Sequence, residues 1–511
     1  MSWAQQDGNL IIRPTHRWLF YGPNEPTESK RSSYSLLYAF VLLKKDANHS
    51  KVSVAATMAL SNRAAAASTS SHVAILRSLA NKYHPEQNPE GFVNLAVAEN
   101  SLMHDELTSY INNKINFQSD VLTYGCGGIG TQDLRSAIAS FVQRKFRPRT
   151  QLNAENIVCT SGLTNAVESI TFAVADTGDG ILLARPFYGS FPHIMSERPG
   201  VRSVYVEFGQ LDPFGVESME AYEVALAGAA REDIKVRALL LCNPHNPLGR
   251  CYSQEFIQAL MRFASNHGLH IISDEIYALS AYSGNSFTSI LAVNPEDLID
   301  PQLLHCLWGT SKDFGASGIR LGAVISHNQQ LLSSIASRGL FTFPSTVADC
   351  IVTQMLSDTE FVDQYLADNT IRLDTAHNLV LKFLKSEGIP YDTSGGAGFF
   401  LWINLRQAIE QRGFEFHDNE SALLQSGCLP RQQSKINLDI VARLYAQKVY
   451  LASGDAFGSE RPGWFRIIFA HPEEIIKEGL SRLKLAIESG PAKDIPSATV
   501  VCLCLCFCGC Q

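Results

Sequence analysis

The sequence has no apolar run long enough to cross a bilayer and no excess of positive charge. The apolar stretch 36–43 is far shorter than the roughly 20 residues that a spanning helix needs, and it begins too late for an ordinary signal peptide. Acidic residues outnumber basic ones, 50 to 42, for a net charge of −8. Nothing therefore indicates a surface for nucleic acid or for an anionic membrane.

The twelve cysteines form no pattern that is typical of zinc sites. Seven are scattered between Cys126 and Cys428, which favours free thiols in a reducing compartment, and we expect a cytoplasmic protein. The other five alternate between Cys502 and Cys510, whereas zinc ligands in close pairs usually have two or more residues between them. We predict no metal site. Lipidation or metal capture at this cysteine-rich tail, 491–511, stays open, but we interpret it as disordered or as a mispredicted last exon.

A chain of 511 residues is long enough to form more than one lobe. The region 1–70 includes a low-complexity Ala and Ser run, and Met58 could be the true start. We interpret this region as a disordered or misassigned extension. We expect an N-terminal segment over 71–120 that joins a small domain, a large domain over 121–345, and the small C-terminal domain over 346–490.

Polar and aromatic side chains follow three apolar runs of the large domain. Tyr188 ends the first, Asn246 follows the second, and Asp274 and Tyr277 end the third. Helical stretches separate these runs, which predicts parallel strands. Because ligands of an open α/β sheet bind at the carboxyl ends of its strands, we expect these side chains to meet there.

Two further segments are rich in glycine and hydroxyl groups. One runs through Ser161 into a helix that begins at Leu163 and Thr164. Free N–H groups at such a helix end can bind phosphate, although an ordinary capped helix has the same pattern. The other segment, 122–130, follows no convincing strand, so we reject a dinucleotide fingerprint and expect Thr131 to cap the next helix.

The segment Leu-Trp-Gly-Thr-Ser-Lys-Asp-Phe-Gly, at 307–315, contains Lys312 among small and hydroxyl residues. Ser311 precedes the lysine and Arg320 follows eight residues later. A lysine near another cation and among neutral groups has a lowered pKa, and its amine can attack a carbonyl. By itself the segment fits a surface lysine equally well. With the strand-end residues it matches what pyridoxal 5′-phosphate needs: a lysine, an anion for the ring nitrogen, and phosphate donors.

Over roughly residues 75–490 the chain resembles the fold-type I, class I/II aminotransferases, and within them the 1-aminocyclopropane-1-carboxylate (ACC) synthase-like group. The motifs Asn-Pro-His-Asn-Pro-Leu-Gly, Ser-Asp-Glu-Ile-Tyr and Thr-Ser-Lys-Asp-Phe-Gly occur in the family's order and spacing. The resemblance implies an α/β fold, with a mainly parallel seven-stranded sheet in the large domain and a smaller α+β domain. It also implies a homodimer that binds pyridoxal 5′-phosphate.

By the same resemblance, Lys312 forms the imine with the cofactor and acts as general acid and base, and Asp274 keeps the pyridine nitrogen protonated. The other expected contacts are Asn246 and Tyr277 with the ring oxygen, Tyr188 with the ring face, Leu163, Thr164, Ser311 and Arg320 with the phosphate, and Tyr124 with the phosphate of the neighbouring subunit. For the substrate they are Arg466 with the carboxylate and Glu99 near the side chain. The family often has a serine where this chain has Gly309.

The resemblance leaves three functions open. The first is an aminotransferase that acts on an amino acid or amino-acid-derived substrate. The second is a carbon–sulfur lyase or ACC synthase-like eliminase, a kind of activity that occurs in fungal sulfur-containing secondary metabolism. The third is a non-enzymatic relative, against which the intact Lys312, Asp274 and Arg466 argue.

Overall fold

The computed structural model describes residues 80–490 apart from Cys126, Ser283 and 417–433, together with two short strands near the amino terminus. The chain divides into two compact units, Met1–Thr69 and Ser70–Gln511. In the first unit, β1 (Gln5–Gln6) pairs antiparallel with β2 (Asn9–Leu10). The interpretations of the rest of 1–70 and of the cysteine-rich tail lie outside the described residues.

A seven-stranded sheet forms the centre of the second unit, in the order β4-β10-β9-β8-β7-β5-β6. All its strands are parallel except β10, which runs antiparallel to both neighbours. The mainly parallel seven-stranded sheet is thus confirmed. Its strands are β4 (Ile157–Thr160), β5 (Gly180–Ala184), β6 (Arg202–Val206), β7 (Val236–Cys242), β8 (His270–Asp274), β9 (Leu304–Gly309) and β10 (Gly322–Ser326).

The sheet lies between two apolar layers because alternate residues of a strand point to opposite faces. In β7, Leu239 and Leu241 belong to one buried cluster, whereas Leu240 and Cys242 belong to the other. The apolar run of β7 is therefore buried on both sides, as expected of a parallel strand covered by helices.

Twelve α-helices of four or more described residues surround and extend the sheets. Thr131 caps α2, accepting a hydrogen bond from the amide of Leu134, so the predicted cap is confirmed. The helices are α1 (His104–Lys114), α2 (Gln132–Phe146), α3 (Leu163–Val174), α4 (Phe191–Glu197), α5 (Met219–Arg231), α6 (Gln254–His267), α7 (Gln329–Ser337), α8 (Thr346–Ser357), α9 (Thr359–Ser386), α10 (Leu405–Glu410), α11 (Lys435–Ala446) and α12 (Glu473–Glu488). Within the described part of the chain, none of these helices is both long and apolar enough to cross a membrane.

Smaller sheets form from the last third of the chain and one early strand. The strands β11 (Phe400–Asn404), β14 (Trp464–Ile468) and β13 (Ala452–Ser453) form an antiparallel sheet in that order. The strand β12 (Val449–Tyr450) pairs in parallel with β3 (Val93–Asn94). The segment after β3 lies beside the end of β14, since Ile468 donates its amide to the carbonyl of Leu95. The domain boundaries given above stay a prediction.

Register aligns the carboxyl ends of the three strands that carry the candidate residues. Cys242 at the end of β7 lies opposite Asp274 at the end of β8, and Asp274 lies opposite Leu307 of β9. The turns after these strands therefore leave the sheet at one edge, which is where an open α/β sheet binds its ligand. His270, at the other end of β8, instead bonds through Nδ1 to Nε2 of His305 at 2.9 Å.

Candidate active site

Lys312 lies in the turn that follows β9, with its side chain partly buried. Its Nζ donates a hydrogen bond of 2.5 Å to the carbonyl of Ala98. Burial lowers the pKa of the Lys312 ammonium to about 8, and the nearby Arg466 guanidinium acts in the same direction. The carboxylates of Glu99 and Asp274 oppose this lowering of the pKa only in part. A lysine in this setting has a substantial neutral fraction near neutral pH, as a nucleophilic amine requires.

Asp274 is the last residue of β8 and only 5% exposed. Its Oδ1 accepts the amide of Ile276 at 3.1 Å. Burial, with a smaller effect of the neighbouring Glu275 carboxyl, raises the pKa of the Asp274 carboxyl to about 7, although the Ile276 amide and Lys312 act to lower it. A buried carboxyl of this kind needs a cationic or hydrogen-bonding partner to stay ionised. A protonated ring nitrogen would be such a partner.

Arg466 enters the site from β14 and is 1% exposed. Its Nη1 donates to Oδ1 of Asn246 at 2.7 Å, and its Nη2 donates to the carbonyl of Ala96 at 2.5 Å. Its Nε has no hydrogen-bond partner among the described residues. The guanidinium lies 4.7 Å from the ring centroid of Phe457. A buried guanidinium with an unused donor, held by neutral acceptors, is suited to bind a carboxylate.

The turn before α3 forms a cradle for an anion. Gly162 has a φ of +79°, and a Cβ there would lie 2.5 Å from Nη2 of Arg320. Only glycine therefore lets the Arg320 guanidinium lie against this turn. Leu163 and Thr164 are the first residues of α3, and Thr164 is exposed. Free amides at a helix amino terminus and an adjacent guanidinium are the donors that a phosphate group prefers.

Gly309 stands where the family often has serine, and the packing leaves no room for a side chain. A Cβ at Gly309 would lie 2.5 Å from the carbonyl oxygen of Leu321, the residue that directly precedes the neighbouring strand β10. At Gly322, a Cβ would lie 2.7 Å from the carbonyl carbon of Gly162. The ends of β9 and β10 and the turn before α3 thus pack backbone against backbone. A hydroxyl at 309 would require these segments to move apart.

Two tyrosines lie near the Arg466 end of the site. Tyr277 is buried and packs edge-to-face against Phe399 and Phe400, with centroid distances of 5.3 and 5.2 Å. Burial raises the pKa of the Tyr277 hydroxyl well above its ordinary value. Tyr188 is half-buried and packs edge-to-face on Phe191 at 5.1 Å. The Tyr277 hydroxyl is therefore a neutral donor, and the Tyr188 ring is held in place at the edge of the sheet.

Three other expected site residues differ in their exposure and in their relation to Lys312. Glu99 is exposed but close enough to influence the pKa of Lys312. Ser311, next to the lysine, is buried. Tyr124, by contrast, is a surface side chain with an exposure of 85%. Further apolar side chains are exposed on this segment and on segments that pack against it, namely Phe117, Leu122, Leu340, Phe341 and Val347. We call this set the apolar face.

Sequence reasoning missed two groups that hold the site together. The first is the pair of carbonyls of Ala96 and Ala98, which accept from Arg466 and Lys312. Backbone carbonyls carry no residue-specific signal, so no motif could have found them. The second is Asp313, a buried carboxylate beside the lysine. Its signal was a charged residue within a run of apolar and small residues.

Comparison of the sequence with known protein families identifies the class of protein that has this fold and site. The sequence model described as aminotransferase class I and II matches residues 90–483. Because this match spans most of the chain, the protein belongs to the class I and II aminotransferase family. Members of this family depend on pyridoxal 5′-phosphate, and the lysine, the buried aspartate and the glycine cradle described above fit that cofactor.

Relatives within the family lie in the ACC synthase-like group. The mouse 1-aminocyclopropane-1-carboxylate synthase-like protein 1 is 33% identical over 417 residues, 80% of this chain and 78% of the mouse protein. A mouse protein named probable inactive 1-aminocyclopropane-1-carboxylate synthase-like protein 2 is also 33% identical, over 79% of this chain and 67% of its own length. Among solved structures, the aspartate aminotransferase of Thermus thermophilus with maleate has a TM-score of 0.63 at 20% identity. It is matched over 84% of this chain and 99% of its own. The structural likeness shows the fold alone.

Proposed function

We propose that this protein is an enzyme that removes the α-proton of an amino acid or amino-acid-derived substrate with the help of pyridoxal 5′-phosphate, and that it is an aminotransferase. One observation carries the proposal. A lysine amine with a lowered pKa, a buried carboxyl and a buried arginine with an unused donor share one edge of the sheet: Lys312, Asp274 and Arg466. A purely structural site has no need for three such costly groups together.

The cofactor would be held by the groups around the end of the sheet. When bound, it supplies an electron-withdrawing ring that stabilises negative charge at the α-carbon. Lys312 binds its aldehyde, and Asp274 accepts a hydrogen bond from the ring nitrogen. The remaining contacts are Asn246 and Tyr277 to the ring oxygen, Tyr188 to the ring face, and Leu163, Thr164, Ser311 and Arg320 to the phosphate. Because Gly309 has no hydroxyl, the phosphate contacts within this subunit depend on Leu163, Thr164, Ser311 and Arg320.

The substrate would be oriented between Arg466 and Lys312. Arg466 binds the α-carboxylate, and the Nε that lacks a partner becomes one of the two parallel donors of a bidentate contact. Nζ of Lys312 would take the α-proton of the bound substrate and return it. Because its pKa is about 8, the amine is neutral often enough to act as base and acidic enough to give the proton back. Glu99 lies beside the space for the substrate side chain.

The alternative function is a carbon–sulfur lyase or an ACC synthase-like eliminase, with a role in sulfur-containing secondary metabolism. It uses the same residues, since loss of a β- or γ-substituent also begins with removal of the α-proton. The names of the mouse relatives support the ACC synthase-like grouping, and one of them is called probable inactive. A non-enzymatic role is the third candidate. The lowered pKa of Lys312 and the free Nε of Arg466 favour an enzyme.

We further propose that the protein is a cytoplasmic homodimer with the apolar face at its interface. Tyr124 is 85% exposed, and exposed apolar side chains grouped on neighbouring segments are typical of a protein–protein contact. In a dimer, Tyr124 would reach the phosphate of the neighbouring subunit's cofactor. The segment 127–130 and the turn 339–341 pack on each other, since a Cβ at Gly339 would clash with the carbonyl of Gly128. The two parts of the face are therefore held as one surface.

One experiment separates the three functions. The purified full chain, loaded with pyridoxal 5′-phosphate, is incubated with amino acids in the presence of a keto-acid acceptor, and separately with cysteine conjugates. An aminotransferase forms the keto acid of the donor and the amino acid of the acceptor. A lyase forms pyruvate, ammonia and a thiol without any acceptor. A protein with neither product from a broad panel would contradict an enzymatic role, and Lys312→Ala serves as the inactive control.

A further inference from the structure

Two turns of the candidate site come from positions about 35 residues apart, and each carries one residue of the proposed machinery. The turn after β8 carries Tyr277, and the turn after β9 carries Lys312. The two strands are parallel neighbours, but backbone pairing ends at Asp274 and Leu307. Beyond those residues, the strand ladder no longer holds one turn in place relative to the other.

Asp313 joins these two turns. It is fully buried, directly after Lys312. Its Oδ1 accepts the Ser280 hydroxyl at 2.7 Å and the Leu279 amide at 3.2 Å, both from the turn after β8. Its Oδ2 accepts a hydrogen bond from Nε1 of Trp308, in the preceding strand β9, at 3.3 Å. One carboxylate therefore has two hydrogen bonds to the turn of Tyr277 and one to the strand that leads into its own turn.

The three hydrogen bonds match the ionised form of the Asp313 side chain, because all three partners are donors and a carboxylate only accepts. Burial raises the pKa of the Asp313 carboxyl to about 7, even though the hydrogen bonds from Ser280, Trp308 and Leu279 oppose that rise. A buried charge is costly unless it is fully hydrogen-bonded. Asp313 lies between the turns that carry Tyr277 and Lys312, where a hydrogen-bonded charge can fix the position of one turn relative to the other.

We propose that Asp313 is a positioning residue that sets the distance between the Lys312 amine and the Tyr277 hydroxyl. It touches neither substrate nor cofactor and acts through the two turns. Asp313 directly follows Lys312, so a shift of their turn by about 1 Å displaces the amine as well, and a misplacement of that size can cost about 100-fold in rate. The kinetic part of this inference rests on the proposed function.

A second buried carboxylate provides a matched control. Asp349, on α8, is also buried and accepts the Thr131 amide at 2.8 Å and the Thr131 hydroxyl at 2.7 Å. It fastens the start of α2, and none of its hydrogen bonds among the described residues reaches either turn of the site. Loss of Asp349 should therefore lower stability without altering the relation of Lys312 to Tyr277. A residue that is merely structural would behave like Asp349.

The test compares Asp313→Ala, Asp313→Asn and Asp349→Ala in the full chain. In protein without cofactor, we expect hydrogen exchange at the Leu279 amide to rise at least tenfold in Asp313→Ala and to stay unchanged in Asp349→Ala, because only the first removes its acceptor. In the loaded enzyme, we expect kcat to fall about 10- to 100-fold in Asp313→Ala with KM changed less than threefold. We expect a smaller fall in Asp313→Asn, whose side-chain oxygen can still accept from Leu279.

The outcomes distinguish the inference from the proposed function. Unchanged exchange at Leu279 in Asp313→Ala would overturn the tie itself, whether or not the protein is an enzyme. Increased exchange with an unchanged kcat would overturn the positioning role, as would an equal fall of kcat in Asp349→Ala at matched thermal stability. If Asp313→Ala does not fold, Ser280→Ala removes the shorter of the two hydrogen bonds between the turns and is judged by its kcat and KM against Asp349→Ala at matched thermal stability. Absence of any activity in the unmodified protein would instead refute the proposed function and leave the exchange result standing.

Discussion

The lowered pKa of Lys312 is a property of the protein without its cofactor, and it can be measured directly. An ordinary lysine titrates near 10.5, whereas burial and the Arg466 guanidinium bring the pKa of Lys312 to about 8. At pH 7.5, about a quarter of the Lys312 amines would then be neutral, against about one in a thousand for an ordinary lysine. Lys312 should accordingly react with an amine-specific reagent on the order of 100 times faster than an ordinary lysine of equal access.

The assay is acylation of cofactor-free protein at a series of pH values, with each lysine followed by mass spectrometry. The rate at Lys312 should rise with pH and level off above a midpoint near 8. Lys484 is an internal reference with the opposite behaviour, because its hydrogen bond to Glu387 raises its pKa. Its modification should still be rising at the highest pH used.

Neighbouring charges should move the Lys312 midpoint in a fixed direction. The Glu99 carboxylate raises the pKa of Lys312, so Glu99→Gln should lower the midpoint further. Because Glu99 is exposed, the variant should leave the packing intact, and added salt should reduce the difference from the unmodified protein. A Lys312 midpoint near 10.5, as for an ordinary lysine, would refute the placement of the lysine in a buried, cationic site.

Two further predictions concern the ring partner and the assembly. Asp274→Asn keeps the shape of the side chain but removes the charge that would hold a proton on the ring nitrogen. We expect the cofactor still to bind, and deuterium exchange at the substrate α-carbon to fall by orders of magnitude, at about 1.4 kcal/mol per tenfold; exchange at the normal rate would show that Asp274 is not the ring partner. Mixing the separately inactive variants Tyr124→Ala and Lys312→Ala should restore part of the activity, because hybrid dimers would contain one complete site. A fully active monomer in sedimentation would contradict the shared site.

The sequence was sufficient to predict the sheet, the edge of the sheet and the lysine. Apolar runs that stop at Asp274 and before Asn246 are local patterns, and strands with helices between them form parallel sheets by a general rule. The same local chemistry predicted the start of α3 at Leu163 and the cap at Thr131, both of which the structure has. The family motifs placed these segments in one order, which the match of the family to residues 90–483 confirms.

Tertiary packing decided what no local pattern contains. The hydrogen bond between Arg466 and Asn246 joins residues 220 positions apart. Neither residue type nor spacing predicts that Arg466 keeps an unused Nε. The absence of a serine at Gly309 was visible in the sequence, but its cause, the carbonyl of Leu321 at 2.5 Å from any added Cβ, was not.

The same holds for Asp313. In the sequence it is one acidic residue after a lysine, and a charge in that position is as typical of a solvated turn as of a buried one. Its function as a link depends on Leu279 and Ser280, which reach it only because β8 and β9 are neighbours in the sheet. The sequence by itself thus determined which chemical groups this protein has and which strand ends carry them. The tertiary structure alone decided their distances, burial and partners, because those depend on contacts between segments that are far apart along the chain.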